Sequence, residues 1–134
     1  SVKVGVRVRP FNARETELNC KLCVEMVGNT TRLLDLDDSK RNRDFAFDYS
    51  FWSHDEFTTN EAGYFDKNLH RCRPDGKKYA DQKIVFEAVG IEILDNAWKG
   101  YHCCLFAYGQ TGSGKSYSMV GYGANKGIVP ISCE

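Results

Sequence analysis

The first ten residues of the chain alternate between apolar and polar side chains. Valine occupies every second position from residue 2 to residue 8, and lysine, glycine and arginine fill the positions between them. Alternation with a period of two is typical of a β-strand that buries one face. Pro10 ends the pattern, because proline cannot donate to the hydrogen-bond ladder of a sheet. The pattern therefore predicts a first strand over residues 2–9.

Three more strands are predicted in the next forty or so residues. Residues 22–27 and 31–36 are strand-like, and Gly28-Asn29 between them is a turn signal, so these two segments predict a small antiparallel hairpin. Residues 45–52 are rich in aromatic side chains and partly alternating, which predicts one further strand.

The hydrophobic pattern disappears over residues 53–80. This stretch holds many charged residues together with asparagine, proline and glycine, which predicts a long surface loop. Structureless loops of this length are uncommon, so a short helix within it is an open alternative. Its basic cluster either contacts an acidic partner or is simply solvated, and solvation is favoured because charges usually occupy surfaces. The cluster consists of Arg71, Arg73, Lys77 and Lys78.

A helical period follows. One i, i+4 row of apolar side chains is formed by Val85, Val89, Ile93 and Ala97. Asp81 is an expected N-cap and Gly100 an expected stop, so the segment predicts a helix over residues 81–100. Residues 101–108 are almost continuously apolar, which predicts a strand buried on both faces, as in a parallel sheet.

A glycine-rich loop comes directly after this predicted strand and before a predicted helix from about Gly114. It has the P-loop pattern G-x-x-x-x-G-K-S, in which glycines let backbone N–H groups turn towards phosphate oxygens and the helix directs its positive end at them. Lys115 would reach the β- and γ-phosphates, and the Ser116 hydroxyl would ligate Mg²⁺. A glycine-rich turn without a ligand is the disfavoured alternative. The predicted phosphate cradle is Gly109, Gln110, Thr111, Gly112, Ser113, Gly114, Lys115 and Ser116.

Composition changes this picture little. A chain of 134 residues, 42% hydrophobic and 27% charged, is typical of a soluble globular domain. Its 18 basic and 18 acidic residues balance, so no overall field favours nucleic acid or an anionic membrane as partner. No apolar run is long enough to span a bilayer, and the first residues lack the organisation of a signal peptide. These features predict a cytoplasmic protein without a membrane span.

Six cysteines occur in the chain. Free thiols are predicted, and the two adjacent cysteines in the apolar run 101–108 are expected to be buried as small hydrophobes. A zinc site formed by Cys20 and Cys23 with His70 and Cys72 is the alternative, and its spacing is unfavourable.

The residues around the P-loop resemble those of kinesins. Residues 106–119, FAYGQTGSGKSYSM, are similar to the kinesin P-loop signature, and residues 6–11, VRVRPF, are similar to its first-strand motif. Residues 47–53 and 82–100 also match kinesin segments in the same order. Details such as the tyrosine after the P-loop serine resemble the third kinesin family, the cargo transporters.

This resemblance implies an α/β fold of the P-loop NTPase type. The kinesin motor domain has a central, largely parallel sheet flanked by helices, with a small antiparallel hairpin lobe, and residues 1–134 would be its N-terminal part. In kinesins the arginine-x-arginine-proline motif lines the adenine pocket. The resemblance therefore implies that Arg7, Arg9 and Pro10 lie on one side of the base and Tyr117 on the other.

The resemblance also implies a function. The chain would be the ATP-binding part of a motor that couples ATP hydrolysis to microtubule-based movement, with ATP or ADP and Mg²⁺ as ligands, Lys115 and Ser116 as catalytic residues, and a place on the cytoskeleton. Tubulin would be contacted by segments outside these residues, and the cargo is unspecified. Residues 55–79 are longer than the corresponding kinesin segment, and residues 121–127 correspond to a variable loop that interrupts the helix after the P-loop.

Both kinesin switch motifs, N-x-x-S-S-R and D-x-A-G-x-E, are absent from the sequence. The 134 residues alone are therefore not expected to turn over ATP. A truncated, non-hydrolysing fragment that binds nucleotide or serves as an interaction piece is the alternative. An unrelated P-loop kinase or GTPase is a third possibility, which Gln110-Thr111 and the first-strand motif disfavour.

Overall fold

The computed structural model describes residues 1–68 and 77–134. The chain forms two compact units, each built from two segments: residues 1–57 with 67–79, and residues 58–66 with 80–134. Within the described residues, no helix is long and apolar enough to cross a membrane.

The first unit is mainly β-structure. Its elements are β1 (Gly5–Val8), α1 (Ala13–Glu17), β2 (Val24–Val27), β3 (Thr30–Leu33), a short 3-10 helix (Ser39–Arg41), β4 (Arg43–Ala46) and β5 (Tyr49–Trp52). Strands β1 and β5 are parallel, with Gly5 opposite Tyr49 and Val8 opposite Trp52. Strands β2, β3 and β4 form an antiparallel sheet in that order. The predicted first strand and hairpin are thus confirmed, but β1 and β2 are shorter than predicted, and β3 begins one residue earlier and ends three residues earlier.

The prediction of a single strand over residues 45–52 is wrong. The segment divides between two sheets, because the backbone changes partner in its middle. The Phe47 N–H donates to the carbonyl of Asn29, 2.9 Å away, whereas the next N–H, from Asp48, donates to the carbonyl of Val4 at 3.0 Å. The Asp48 carboxylate also accepts the Val4 N–H at 2.7 Å. Side-chain periodicity cannot reveal such a change of partner, since both halves are extended.

The core of the first unit lies between its two sheets. Met26 on β2 and Trp52 on β5 are completely buried, at 0% exposure. Thr31 and Ser50 are also buried, and their hydroxyl oxygens are 3.0 Å apart in a hydrogen bond that joins β3 to β5. The bond satisfies both hydroxyls inside the core, where an unpaired polar group would be costly.

The stretch predicted as a long loop contains a β-hairpin. Strands β6 (Phe57–Thr59) and β7 (Phe65–Lys67) pair with each other, so the described part of the stretch has strands where a short helix was the alternative. Lys77, one of the four basic residues of the predicted cluster, donates to the Ser50 carbonyl at 2.9 Å. Arg71 and Arg73 lie outside the described residues, as do His70 and Cys72 of the alternative zinc site.

The second unit is mainly helical. Its elements are α2 (Gln82–Val85), a π-helical segment (Phe86–Gly90), α3 (Ile91–Trp98), α4 (Lys115–Met119), the paired strands β8 (Gly121–Tyr122) and β9 (Asn125–Lys126), and α5 (Ile128–Ser132). Residues 121–127 thus separate two helices, α4 and α5, as expected.

The helix predicted over residues 81–100 is confirmed. The Asp81 carboxylate caps its start by accepting the Ile84 N–H at 2.8 Å, and Gly100 ends it with a φ of +85°. The π-helical segment in its middle was not predicted. A Cβ on Gly90 would lie 2.4 Å from the Phe86 ring, so the absence of a side chain lets this ring pack against the backbone.

The predicted buried strand over residues 101–108 is wrong. These residues form neither strand nor helix, and Tyr108 is 97% exposed. Cys103 and Cys104 are exposed free thiols, contrary to the expected burial. A strand buried in a parallel sheet needs neighbours that pair with its backbone. The strands that the structure describes pair only among themselves, so this apolar run has no sheet to enter.

The tight turn after α4 yields a stability prediction. A Cβ on Gly121 would lie 1.9 Å from the carbonyl oxygen of Asn125, whereas a Cβ on Gly123 would have no heavy atom within 4 Å. Both glycines have a positive φ, of +75° and +54°. Gly123→Ala should therefore lower the free energy of unfolding only by the cost of the left-handed backbone conformation, about 1–2 kcal/mol. Gly121→Ala should lower the free energy of unfolding by about 1–3 kcal/mol more, because of overpacking.

Urea denaturation of both variants measures this difference. The two substitutions are matched in backbone conformation and in the added methyl group, so the comparison isolates the steric contact. Equal losses of stability in the two variants would contradict the packing of the turn.

Candidate nucleotide site

Three glycines shape the loop that precedes α4. Gly109, Gly112 and Gly114 have φ values of +153°, +80° and +99°, in a region that other residues rarely adopt. A Cβ on Gly109 would lie only 2.5 Å from the Ser113 hydroxyl oxygen. The Ser113 N–H closes the turn by donating to the Gln110 carbonyl at 3.1 Å. The loop therefore has the irregular, glycine-dependent backbone that the P-loop pattern requires.

Lys115 folds back from the first turn of α4 over this loop. Its ammonium group donates to the carbonyl oxygens of Gly109, at 2.6 Å, and Gln110, at 2.9 Å. The side chain is partly buried. A positive charge is thus held beside the glycine-rich backbone by two contacts that need no ligand.

Ser116, the predicted Mg²⁺ ligand, is exposed at the second position of α4. Its carbonyl accepts the Val120 N–H at 2.9 Å, which is a helical bond. Among the described residues, no three histidine, cysteine or carboxylate side chains come together. A single hydroxyl is an oxygen donor of the kind that Mg²⁺ accepts beside phosphate and water oxygens, and the role of Ser116 as its ligand stays a prediction.

Tyr117, the aromatic residue implied for the adenine pocket, is partly buried in the same helix. Its ring lies 6.2 Å from that of Tyr122, tilted by 33°. Its carbonyl accepts a hydrogen bond from the Gln82 side-chain amide at 2.7 Å. The role of Tyr117 beside a nucleobase stays a prediction.

Arg7, Arg9 and Pro10 belong to the first unit, whereas the P-loop belongs to the second. The Arg7 guanidinium donates to the Ser53 hydroxyl at 2.9 Å. Both terminal nitrogens of Arg9 donate to the Glu15 carboxylate, at 2.7 and 2.8 Å, and one of them also donates to the Pro10 carbonyl at 2.8 Å. The place of these three residues at a nucleobase also stays a prediction.

Sequence reasoning missed Glu15, which orients Arg9. Asn12 and Glu15 form a capping box at the start of α1: the Asn12 side chain accepts the Glu15 N–H at 2.8 Å, and the Glu15 carboxylate accepts the Asn12 N–H at 2.9 Å. The spacing of an asparagine and a glutamate three residues later is a readable signal for this box. The hydrogen bond from Arg9, helped by the Asn12 N–H, lowers the pKa of Glu15 to about 2.

Comparison with protein families and curated proteins gives a consistent result. The family model described as "Kinesin motor domain" matches residues 7–134. Kinesin-like protein KIF28 of Rattus norvegicus is 48% identical over 134 residues, which are 100% of this chain and 12% of that protein. Kinesin-like protein KIF13A of Homo sapiens is 46% identical over 138 residues, covering 98% of this chain and 7% of that protein.

Solved structures agree with these relatives. KIF14 residues 391–755, with ADP and in complex with a microtubule, match with a TM-score of 0.79 and 41% identity, covering 99% of this chain and 32% of that one. A KIF14 dimer in a two-heads-bound state, with AMP-PNP and in complex with a microtubule, matches with a TM-score of 0.79 and 42% identity, covering 99% of this chain and 31% of that one. The chain thus spans a minor part of the length of each relative that it matches.

The Arg9–Glu15 pair predicts a pH dependence. The pKa of Glu15 is lowered from an ordinary 4.5 to about 2, so the ionised form is favoured in the folded state. Its stabilising contribution is complete above pH 4.5 and is lost as the pH falls from 4.5 through about 2. Arg9→Met should return the pKa of Glu15 most of the way to its ordinary value, because the largest cause is removed.

An NMR titration of the Glu15 carboxyl carbon measures this shift. Arg32→Met is the matched control, because it removes the guanidinium that pairs with Asp44 at 2.6 Å and leaves the Arg9–Glu15 pair intact. An unchanged Glu15 pKa in Arg9→Met would contradict the assigned cause.

Proposed function

Since this chain belongs to the kinesin motor domain family, we propose that it is the ATP-binding part of a kinesin-like microtubule motor, which couples ATP hydrolysis to movement along microtubules. The protein would be cytoplasmic and located on the cytoskeleton, with tubulin as its partner. The tyrosine that follows the P-loop serine further supports a place in the third kinesin family.

One observation carries this proposal: the ammonium group of Lys115 is held over a loop that glycine alone can form. The glycines at positions 109, 112 and 114 have positive φ values, and Lys115 lies within 2.9 Å of two loop carbonyls. An anion beside this loop would meet a fixed cation and backbone N–H groups. Triphosphate oxygens are ligands that suit this combination.

Each site residue has a part in the proposal. Lys115 binds the β- and γ-phosphates, and Ser116 ligates Mg²⁺, which neutralises phosphate charge when it is bound. The adenine base would lie between Tyr117 on one side and Arg7, Arg9 and Pro10 on the other. Guanidinium and aromatic planes stack on nucleobases, so these residue types suit that task.

Hydrolysis and movement depend, in this proposal, on segments beyond the P-loop. Neither switch motif occurs in these 134 residues, and the segments that contact tubulin in kinesins also lie outside them. The alternative is a non-hydrolysing fragment that binds nucleotide or serves as an interaction piece.

The phosphate role of Lys115 is tested by removing its charge. In the native polypeptide, Lys115→Ala should weaken ATP binding by about tenfold to a hundredfold, because charge-assisted hydrogen bonds contribute about 1.5–3 kcal/mol each. Isothermal titration calorimetry with MgATP measures the affinity. Lys99→Ala is the control, since Lys99 is an exposed lysine just after α3. Unchanged ATP affinity in Lys115→Ala would exclude the phosphate cradle.

Motor activity is tested by ATP turnover. The native polypeptide should hydrolyse ATP faster with microtubules than without them, whereas the 134 residues alone should show no turnover in either condition. Steady-state phosphate release measures both. Steady turnover by the 134 residues would show that the switch motifs are dispensable. If the native polypeptide binds ATP but releases no phosphate, the non-hydrolysing alternative holds.

A further inference from the structure

A buried glutamine supports the helix that begins at the P-loop. Gln82, the first residue of α2, is 2% exposed. Its side-chain amide donates to two carbonyl oxygens, that of Tyr117 at 2.7 Å and that of Asn125 at 3.1 Å. One NH₂ group therefore joins the start of α2 to α4 and to β9.

The Tyr117 carbonyl, which accepts one of these bonds, lies close to the proposed phosphate site. Helix α4 ends at Met119, so the Tyr117 carbonyl lies in its last turn. Gln82 provides a donor from another element. Tyr117 directly follows Lys115 and Ser116, so the bond fixes the turn of helix that carries both proposed phosphate-site residues.

Asn125 connects this bond to the hairpin. Its side chain is buried, at 6% exposure, and uses both ends of the amide. The oxygen accepts the Phe65 N–H at 2.8 Å, and the nitrogen donates to the Gly63 carbonyl at 2.9 Å. Both partners lie at the β6–β7 end of the stretch predicted to be an open loop.

The turn of this hairpin has side-chain hydrogen bonds of its own. The Asn60 side-chain oxygen accepts the N–H groups of Ala62 and Tyr64, both at 3.0 Å. The Tyr64 hydroxyl accepts the Lys83 N–H at 3.2 Å, in the first turn of α2. The turn is thus fixed by its own hydrogen bonds and contacts both α2 and β9.

We propose that Gln82 and Asn125 form a relay of buried amides through which the β6–β7 turn positions the P-loop helix. Both are positioning residues for the nucleotide site, because they act on Lys115 and Ser116 through the backbone of α4. This inference rests on the proposed function.

The relay predicts an effect on affinity that mere stabilisation of the fold does not. If the amides hold α4 in its binding-competent position, removing them lowers the population of that position and raises the apparent dissociation constant by the same factor. Loss of one hydrogen bond corresponds to a change of about two- to tenfold. A purely structural role would lower the melting temperature and leave ATP affinity unchanged well below it.

Three variants of the native polypeptide test the relay. Gln82→Met keeps the side-chain volume and removes both amide bonds. Asn125→Asp keeps the acceptor for Phe65 and removes the donor to Gly63. Asn60→Ala loosens the turn without touching either relay residue. MgATP affinity and melting temperature are measured for each, and the apparent dissociation constant should rise about two- to tenfold.

Thr31→Val is the control, because it removes a buried side-chain hydrogen bond in the first unit. It should lower the melting temperature and leave ATP affinity unchanged. Wild-type affinity in both Gln82→Met and Asn125→Asp would overturn the relay. A rise in Gln82→Met alone would also overturn it, because the hairpin would then be uninvolved.

Two remaining outcomes are distinguishable. If Gln82→Met does not fold, Asn125→Asp decides the question, since it removes only one bond. If the wild-type polypeptide binds no ATP, the proposed function fails and the relay fails with it. ATP binding by the wild type, weakened in Lys115→Ala but unchanged in the relay variants, would uphold the proposed function and reject the relay.

Discussion

The pairing of backbone groups with two buried side-chain amides is the constraint on which the second unit depends. A buried N–H or carbonyl without a partner costs about 1–3 kcal/mol, and this unit has little sheet to provide partners. Two side-chain amides provide hydrogen-bond partners instead. Gln82 and Asn125 together satisfy four backbone groups, on Tyr117, Phe65, Gly63 and Asn125 itself. Hence the helices, the β8–β9 turn and the β6–β7 turn pack together without a continuous ladder.

Local signals were sufficient where the structure is locally determined. The helix start at Asp81, the stop at Gly100 and the hairpin turn at Gly28 all follow from residues within a few positions of each feature. The shape of the P-loop belongs to the same class, because its glycines at positions 109, 112 and 114 have positive φ values that other residues rarely adopt. The capping box of Asn12 and Glu15 was equally readable.

The remaining features depend on partners that are distant in sequence. Residues 101–108 have the composition of a buried strand, but burial requires neighbouring strands that the described residues do not supply. The division of residues 45–52 depends on Val4, more than forty positions away. The hydrogen bond between Asn125 and Gly63 joins residues 62 positions apart. Composition and periodicity do not predict such pairings, because they report only the conformational preference of each segment and not its distant partners.

The contacts of Lys115 bear on how the candidate site would accept an anion. Its ammonium group already binds the carbonyls of Gly109 and Gln110, so a phosphate must compete for these donors. The competition favours phosphate, because its oxygens carry a negative charge that attracts the ammonium group and the carbonyl oxygens carry none. The loop itself does not need to be rebuilt, since the conformation of its glycines, and not the lysine, sets its shape. Ligand binding would then be a local exchange of partners at one side chain.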